Sequence, residues 1–260
     1  MVVEDERYIN IKIFKIFIGD YMNVYEIIEI IENLAPTEMA IEGDNVGLQV
    51  GEDREVNKLG VALDPSLEVI KKAVKEGVDF LFTHHPLLKD PINKFTGVVY
   101  KKLELLINNK IVLYSAHTNL DVAFLNDALS ELFNLKNIQP LYDNGLGRVG
   151  IFEGTFKELL DIVKENLCKN PIVVNPKDIE NFKLAVLSGY GLSQKSIIHA
   201  AKNSDVYISG DLTHHARILA EDMNFSVIDA THYGTEVYGL KKFKNILEEK
   251  LDVEIISLDF

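Results

Sequence analysis

The run Val78-Asp79-Phe80-Leu81-Phe82-Thr83-His84-His85-Pro86 decides how this chain is read. Its apolar part has the length and composition of a buried strand. Pro86 stops the backbone from continuing regularly, and two adjacent imidazoles sit at the break. Neighbouring side chains on a strand point to opposite faces, so both rings can serve one site only where the strand has ended. A metal site calls for that arrangement, because neutral imidazole ligates zinc and first-row metals. The plain alternative is a pair of surface histidines at a strand end, and the dipeptide alone does not choose.

Outward from His85, strands and helices alternate in both directions. Residues 58–64 read as a buried strand, and Asp64-Pro65-Ser66 opens a helix with Leu67, Ile70, Ala73 and Val74 on one face, ending at Gly77. An earlier helix carries Val24, Ile27, Ile28, Ile31 and Leu34 and stops at Ala35-Pro36. Downstream, a helix over 98–108 precedes the strand Ile111-Val112-Leu113-Tyr114-Ser115-Ala116, which arrives at His117-Thr118-Asn119-Leu120-Asp121. Beyond Gly145-Leu146-Gly147 come strands over 148–153, 171–174, 183–189, 206–211, 226–230 and 253–258, with helices between most of them. This order predicts an α/β protein with largely parallel pairing. The expected division is an N-terminal extension (1–21), a metal-binding α/β domain (22–140 plus 212–260) and a second α/β domain (141–211).

Two versions of one unit emerge. A strand ending Leu63-Asp64, a strand ending Thr83-His84, and then His117 with Asp121 match a strand ending Leu187-Ser188, a strand ending Ser209-Gly210-Asp211, and His232 with Glu236. Two related units facing each other bring their strand ends, where α/β proteins bind ligands, into one shared cleft. Histidine and carboxylate four residues apart share a face of a helical turn, so His232 and Glu236, or His117 and Asp121, can grip one metal or two adjacent ones. With His84 and His85 they make a donor set too large for one zinc. It suits two divalent ions with a bridging carboxylate. Each pair taken singly reads more readily as a solvated pair; three sets at equivalent strand ends favour ligation.

Other candidates are weaker. Asp211 reads first as the N-cap of the following helix, with His214 and His215 in its first turn. His199 lies on a polar helix face and reads as solvated. Asp64 is a group beside the site or a helix cap. Gly145-Leu146-Gly147-Arg148 lacks the lysine of a phosphate loop and reads as a turn whose arginine can approach an anion.

A formal charge of −13 opposes a protein that coats nucleic acid by bulk electrostatics. The single cysteine, Cys168, excludes an intramolecular disulfide framework and fits a reducing compartment. No apolar run reaches the ~20 residues of a membrane span, and the start lacks the features of a signal peptide, so the chain is read as cytoplasmic. The period-two segment 11–18 reads as an edge strand or as the product of an over-long start, since Met22 precedes the first strong helix.

Asp44-Asn45-Val46-Gly47-Leu48, Thr83-His84-His85-Pro86, Ala116-His117-Thr118-Asn119-Leu120-Asp121, Ser209-Gly210-Asp211 and His232-Tyr233-Gly234-Thr235-Glu236, in this order, resemble the Nif-three-like family, whose members carry the label GTP cyclohydrolase I type 2 homologue. The likeness runs from about Val24 to the C-terminus. It implies two interlinked α/β domains of related fold, a dinuclear metal centre in the cleft and a toroidal homohexamer. The resemblance places metal ligands on His84, His85, Asp121, His232 and Glu236, and makes His117 either a base beside the site or a residue that supports the ligands from behind. Gly43 stands where the family often has an aromatic residue, and the large inserted domain of longer members is absent.

Three functions follow as expectations. The first is a hydrolase using two divalent ions (iron, zinc or manganese) on a nucleotide or related heterocycle, with His117 moving a proton. Its cyclohydrolase form opens the guanine ring at C8, with lysines or Arg148 steadying the phosphates. The second is a metal-braced ring that binds nucleic acid or a partner without turnover. The third is metal storage or delivery.

Overall fold

The computed structural model describes residues 21–260, so the segment 11–18 and all but the last residue of the expected extension lie outside the described residues. In chain order the first part comprises β1 (Met22–Asn23), α1 (Val24–Leu34), β2 (Gly47–Val50), β3 (Glu55–Val56), β4 (Lys58–Ala62), α2 (Leu67–Glu76), β5 (Phe80–Thr83), α3 (Gly97–Asn108) and β6 (Val112–Ser115). A helical turn (Thr118–Leu120) and a π-helical turn (Asp121–Leu125) lead into α4 (Asn126–Leu132). Then come β7 (Lys136–Pro140), β8 (Arg148–Thr155), α5 (Phe156–Asn166), β9 (Ile172–Val174), β10 (Glu180–Tyr190), α6 (Gln194–Asn203) and β11 (Val206–Gly210). The chain closes with α7 (His214–Asp222), β12 (Ser226–Asp229), α8 (His232–Lys250) and β13 (Glu254–Ser257).

The helices start where side chains can satisfy their free N–H groups. Asn23 and Glu26 form a reciprocal capping box on α1, as Thr155 and Glu158 do on α5. Ser66 caps α2, and Gly77, at φ 68°, ends it in the left-handed region as the sequence predicts.

Two main sheets result. The five-stranded sheet has the order β13-β4-β5-β6-β2, with only β2 antiparallel to its neighbour. The six-stranded sheet has the order β7-β8-β10-β11-β12-β9, in which β10, β11 and β12 run parallel. The triplets β4-β5-β6 and β10-β11-β12 correspond, each with an antiparallel strand beyond its third member. β7 and β12, which the expected division assigns to the first domain, both pair in the six-stranded sheet. For β12 the reason is local: a short β-α-β crossover through α7 returns beside the strand it left.

Each sheet is covered on both faces. Phe80, Phe82 and Tyr114 pack with Ile27 and Ile31 of α1 and Leu240 and Phe243 of α8. On the other face Leu81 and Leu113 meet Ile70 and Leu106. In the second sheet Leu184, Val206 and Ile228 pack on Leu159 and Val163 of α5 and on Leu129 of α4. Tyr207 and Val227 face Ile197 and Ala216. The two units are joined through α4, and through α8, which packs on the first core while its N-terminal turn abuts Gly210 of the second sheet. The strand ends of both triplets therefore converge.

Candidate metal centre

β5 keeps its ladder for two residues past its end, because His84 N–H donates to Ala62 O at 3.2 Å and His85 N–H to Leu63 O at 2.9 Å. The two rings still lie together, with centroids 5.0 Å apart. His117 follows β6 and sits 5.2 Å and 5.4 Å, centroid to centroid, from His84 and His85. Asp121 opens the π-helical turn, and His232 and Glu236 stand one turn apart at the start of α8.

The imidazoles are tied back by one nitrogen. Nδ1–H of His84 donates to Ala116 O at 2.9 Å, that of His85 to Asp64 at 2.8 Å, that of His117 to Asp44 at 2.9 Å and that of His232 to Asp211 at 2.6 Å. A carbonyl or carboxylate only accepts, so each partner fixes the tautomer of the neutral ring, the form in which Nε2 keeps its lone pair. Around the Glu236 carboxylate, Nε2 of His232 lies at 3.0 Å, of His84 at 3.4 Å and of His85 at 3.5 Å. His85 and His232 bring their Nε2 atoms within 3.3 Å of each other. Two lone pairs at that distance need a proton or a metal ion between them.

The donors fall into three clusters: His84, His85 and His117; His85, His232 and Glu236; His84, Asp121 and Glu236. Glu236 belongs to two of them. His84 Nε2 and Glu236 Oε2 are buried without a hydrogen-bond partner, a costly state that a cation would relieve. Gly189 of β10 lies over the centre at φ 70°, where an added Cβ would stand 2.1 Å from Glu236 Oε1. Nitrogen and oxygen donors without sulfur fit divalent first-row ions. The open side is formed by His85, His117 and His232, whose side chains are 20%, 28% and 31% exposed, whereas His84, Asp121 and Glu236 are buried.

Burial lowers an imidazole pKa, but at His84 the charges of Glu236 and Asp121 outweigh it and the net direction is upward. His85, opposed by the same burial, is raised to about 10 by its contacts with Asp64 and Glu236. At His232 the contact with Glu236 prevails over burial and raises it to about 9. Burial raises Glu236 too, yet the surrounding imidazoles hold it well below the usual carboxylate range. Burial wins at Asp121 and pushes it up. At Asp44 burial is outweighed by hydrogen bonds from His117 and Thr118, which hold the carboxyl low.

The structure thus brings His84, His85, His117, Asp121, His232 and Glu236 to one place. Several neighbours differ from expectation. Asp211 does not cap α7; Thr213 does, and Asp211, at φ 64°, turns instead to His232. Asp64 orients His85, since Ser66 caps α2. His199 is not solvated: its Nε2 bonds to Leu141 O at 2.7 Å and its ring stacks on Tyr142. His214 and His215 remain exposed in the first turn of α7. Arg148 is not free for an anion, because Asp127 and the carbonyls of Val122, Gly145 and Gly147 take its donors. Sequence reasoning gave Asp44 no role and missed Asn126; for Asp44 the signal is its place in the Asp44-Asn45-Val46-Gly47-Leu48 motif.

Fold and site together define a two-unit α/β protein with an imidazole–carboxylate centre where paired strand ends meet. The chain belongs to the Duf34/NIF3 (NGG1p interacting factor 3) family, whose profile matches residues 22–260. A GTP cyclohydrolase 1 type 2 homolog of Methanocaldococcus jannaschii is 68% identical over 244 residues, covering 92% of this chain and 100% of the relative. One from Clostridium acetobutylicum is 36% identical over 232 residues, covering 83% and 85%. The solved structure of reduced HcgD from Methanocaldococcus jannaschii superposes with a TM-score of 0.91 at 68% identity, covering 92% of this chain and 99% of that one. No helix among the described residues is long and apolar enough to cross a membrane.

Proposed function

We propose that the chain holds two divalent metal ions and hydrolyses a nucleotide or a related heterocycle. The observation that carries this reading is the set of three imidazoles, His84, His85 and His232, whose Nδ1 atoms are tied back while their Nε2 atoms surround one carboxylate, Glu236. His84, Asp121 and Glu236 would hold one ion, and His85, His232 and Glu236 the other, Glu236 belonging to both clusters. Iron, zinc or manganese bound there would supply Lewis acidity and make a water acidic near neutral pH.

The chain's own groups do the rest. His117, with Nδ1–H held by Asp44, presents Nε2 as a base that takes a proton from water and returns it to the leaving atom. The partly exposed face of His85, His117 and His232 admits substrate. With Arg148 committed elsewhere, the half-buried Lys102, whose charge is felt by Asp64, is the cation we assign to an anionic group of the substrate. The relatives' shared name, GTP cyclohydrolase 1 type 2 homolog, supports a guanine nucleotide as the first substrate to try. The net charge of −13 weighs against the nucleic-acid alternative. The toroidal hexamer implied by the family resemblance belongs to this same proposal.

The test is a nucleotide panel offered to metal-loaded protein, with products resolved by chromatography and bound metal counted. Glu236→Ala is expected to lose both ions and at least about a thousandfold of the turnover. Turnover retained by the metal-stripped variant would overturn the hydrolase reading.

A further inference from the structure

We infer that Ser188, held in place by Asn126, positions the Asp121 carboxylate for its metal ion, so that a strand end of the six-stranded sheet completes a ligand set carried mainly by the five-stranded one. The inference rests on the metal-binding reading above and concerns one ligand of one ion. Ser188 lies in β10, the strand that also carries Gly189 over the centre. Its Oγ donates to Asp121 Oδ1 at 2.5 Å, and that same oxygen is 3.8 Å from His84 Nε2. Ser188 N–H donates to Asn126 Oδ1 at 2.9 Å, and Asn126 Nδ2 donates to the Asp121 carbonyl at 2.9 Å.

All three side chains are buried, with Asn126 at 0%, Ser188 at 5% and Asp121 at 6% exposure. The loop of bonds is therefore closed to water and runs from strand to ligand to π-helical turn and back. Its physical effect follows from the carboxylate's own freedom. The last torsion of aspartate is broad and roughly two-fold, so nothing in the residue itself aims an oxygen. One short bond from a fixed hydroxyl sets the plane, and Asn126 fixes both the hydroxyl's backbone and the turn beneath the ligand. Asp64 does the same for His85 and Asp211 for His232. Asp121 thus has its orienting group on the opposite sheet. Ser188 is a positioning residue; it touches no reacting atom.

Metal-free protein is titrated with zinc against a competing chelator, and a metal-free thermal melt checks the fold. The unsubstituted chain is expected to take two ions. Ser188→Ala is expected to keep one at unchanged affinity and weaken the other by about 10–100-fold. Ser188→Thr, which retains the hydroxyl, restores the second ion. Asn126→Asp, which lacks the Nδ2 donor, weakens the same ion and decides alone if Ser188→Ala does not melt cooperatively. Two ions bound by Ser188→Ala as tightly as before, or an equal loss of both, would overturn the positioning role. An unsubstituted chain that binds no zinc would overturn the metal reading instead.

Discussion

Gly189 shows how little room the centre leaves. Its left-handed φ of 70° already favours glycine, and the space a Cβ would need is occupied by Glu236 Oε1. Gly189→Ala is therefore expected to cost about 1–3 kcal/mol from backbone strain and displacement. Because the displaced atom belongs to the shared carboxylate, both ions should weaken together, in contrast to Ser188→Ala. Denaturant melts and metal counts read the two effects separately; a variant with native stability and two ions refutes the close approach. The residues that gather at the centre were legible in the sequence, since imidazole and carboxylate at strand ends carry a specific chemistry. Their anchors were not. Asp64 and Asp211 looked equally like helix caps, and a serine such as Ser188 carries no signal until a fold sets it against Asp121.

At the level of elements, equal spacing concealed unequal geometry. His117 and Asp121 are four residues apart, as are His232 and Glu236. Yet His117 precedes its helical turn and Asp121 opens a π-helical one, whereas His232 and Glu236 both lie within α8. Accordingly His232 and Glu236 share a cluster, and His117 and Asp121 fall into different ones. The loop around Gly145 to Arg148 was misread for a related reason: an arginine after a glycine turn looks available until its partners are known. Arg148 joins the loop to the π-helical turn at Val122 and to α4 at Asp127. Arg148→Met should cost about 3 kcal/mol by leaving carbonyls and a carboxylate unpaired, discounted because Asp127 is half exposed. The urea midpoint should fall with metal stoichiometry unchanged. An unaltered midpoint would mean that the arginine is dispensable.

Across the whole molecule, the proposed metal binding would link protonation to stability. In the metal-free protein His85 and His232 hold protons up to about 10 and about 9. Those raised values stabilise the metal-free fold fully below pH 6.5, and the contribution is lost as pH rises through 9 and then 10. Ions need neutral imidazole and must displace these protons. Metal affinity should therefore climb with pH between about 6.5 and 9, by about tenfold per unit for each proton released. The metal-free protein should meanwhile become progressively easier to unfold between pH 6.5 and about 10. Titrations at several pH values, with matched melts, check both slopes; an affinity flat across that range would mean that neither imidazole holds its proton above the ordinary range in the metal-free protein.

By itself the sequence determined the α/β alternation, the two matching units, and the six residues His84, His85, His117, Asp121, His232 and Glu236. These follow from periodicity, from proline and glycine punctuation and from ligand chemistry, all of which are local. Tertiary structure decided which sheet receives β7 and β12, which carboxylate belongs to two clusters, and which groups aim the imidazoles. Sheet membership depends on pairing between distant strands, and the place of Glu236 depends on the end of β5 meeting the first turn of α8 within 3.5 Å. No local pattern encodes either. They appear only when α8 is packed on one core with its N-terminal turn against the other sheet, and the two sets of strand ends close on each other.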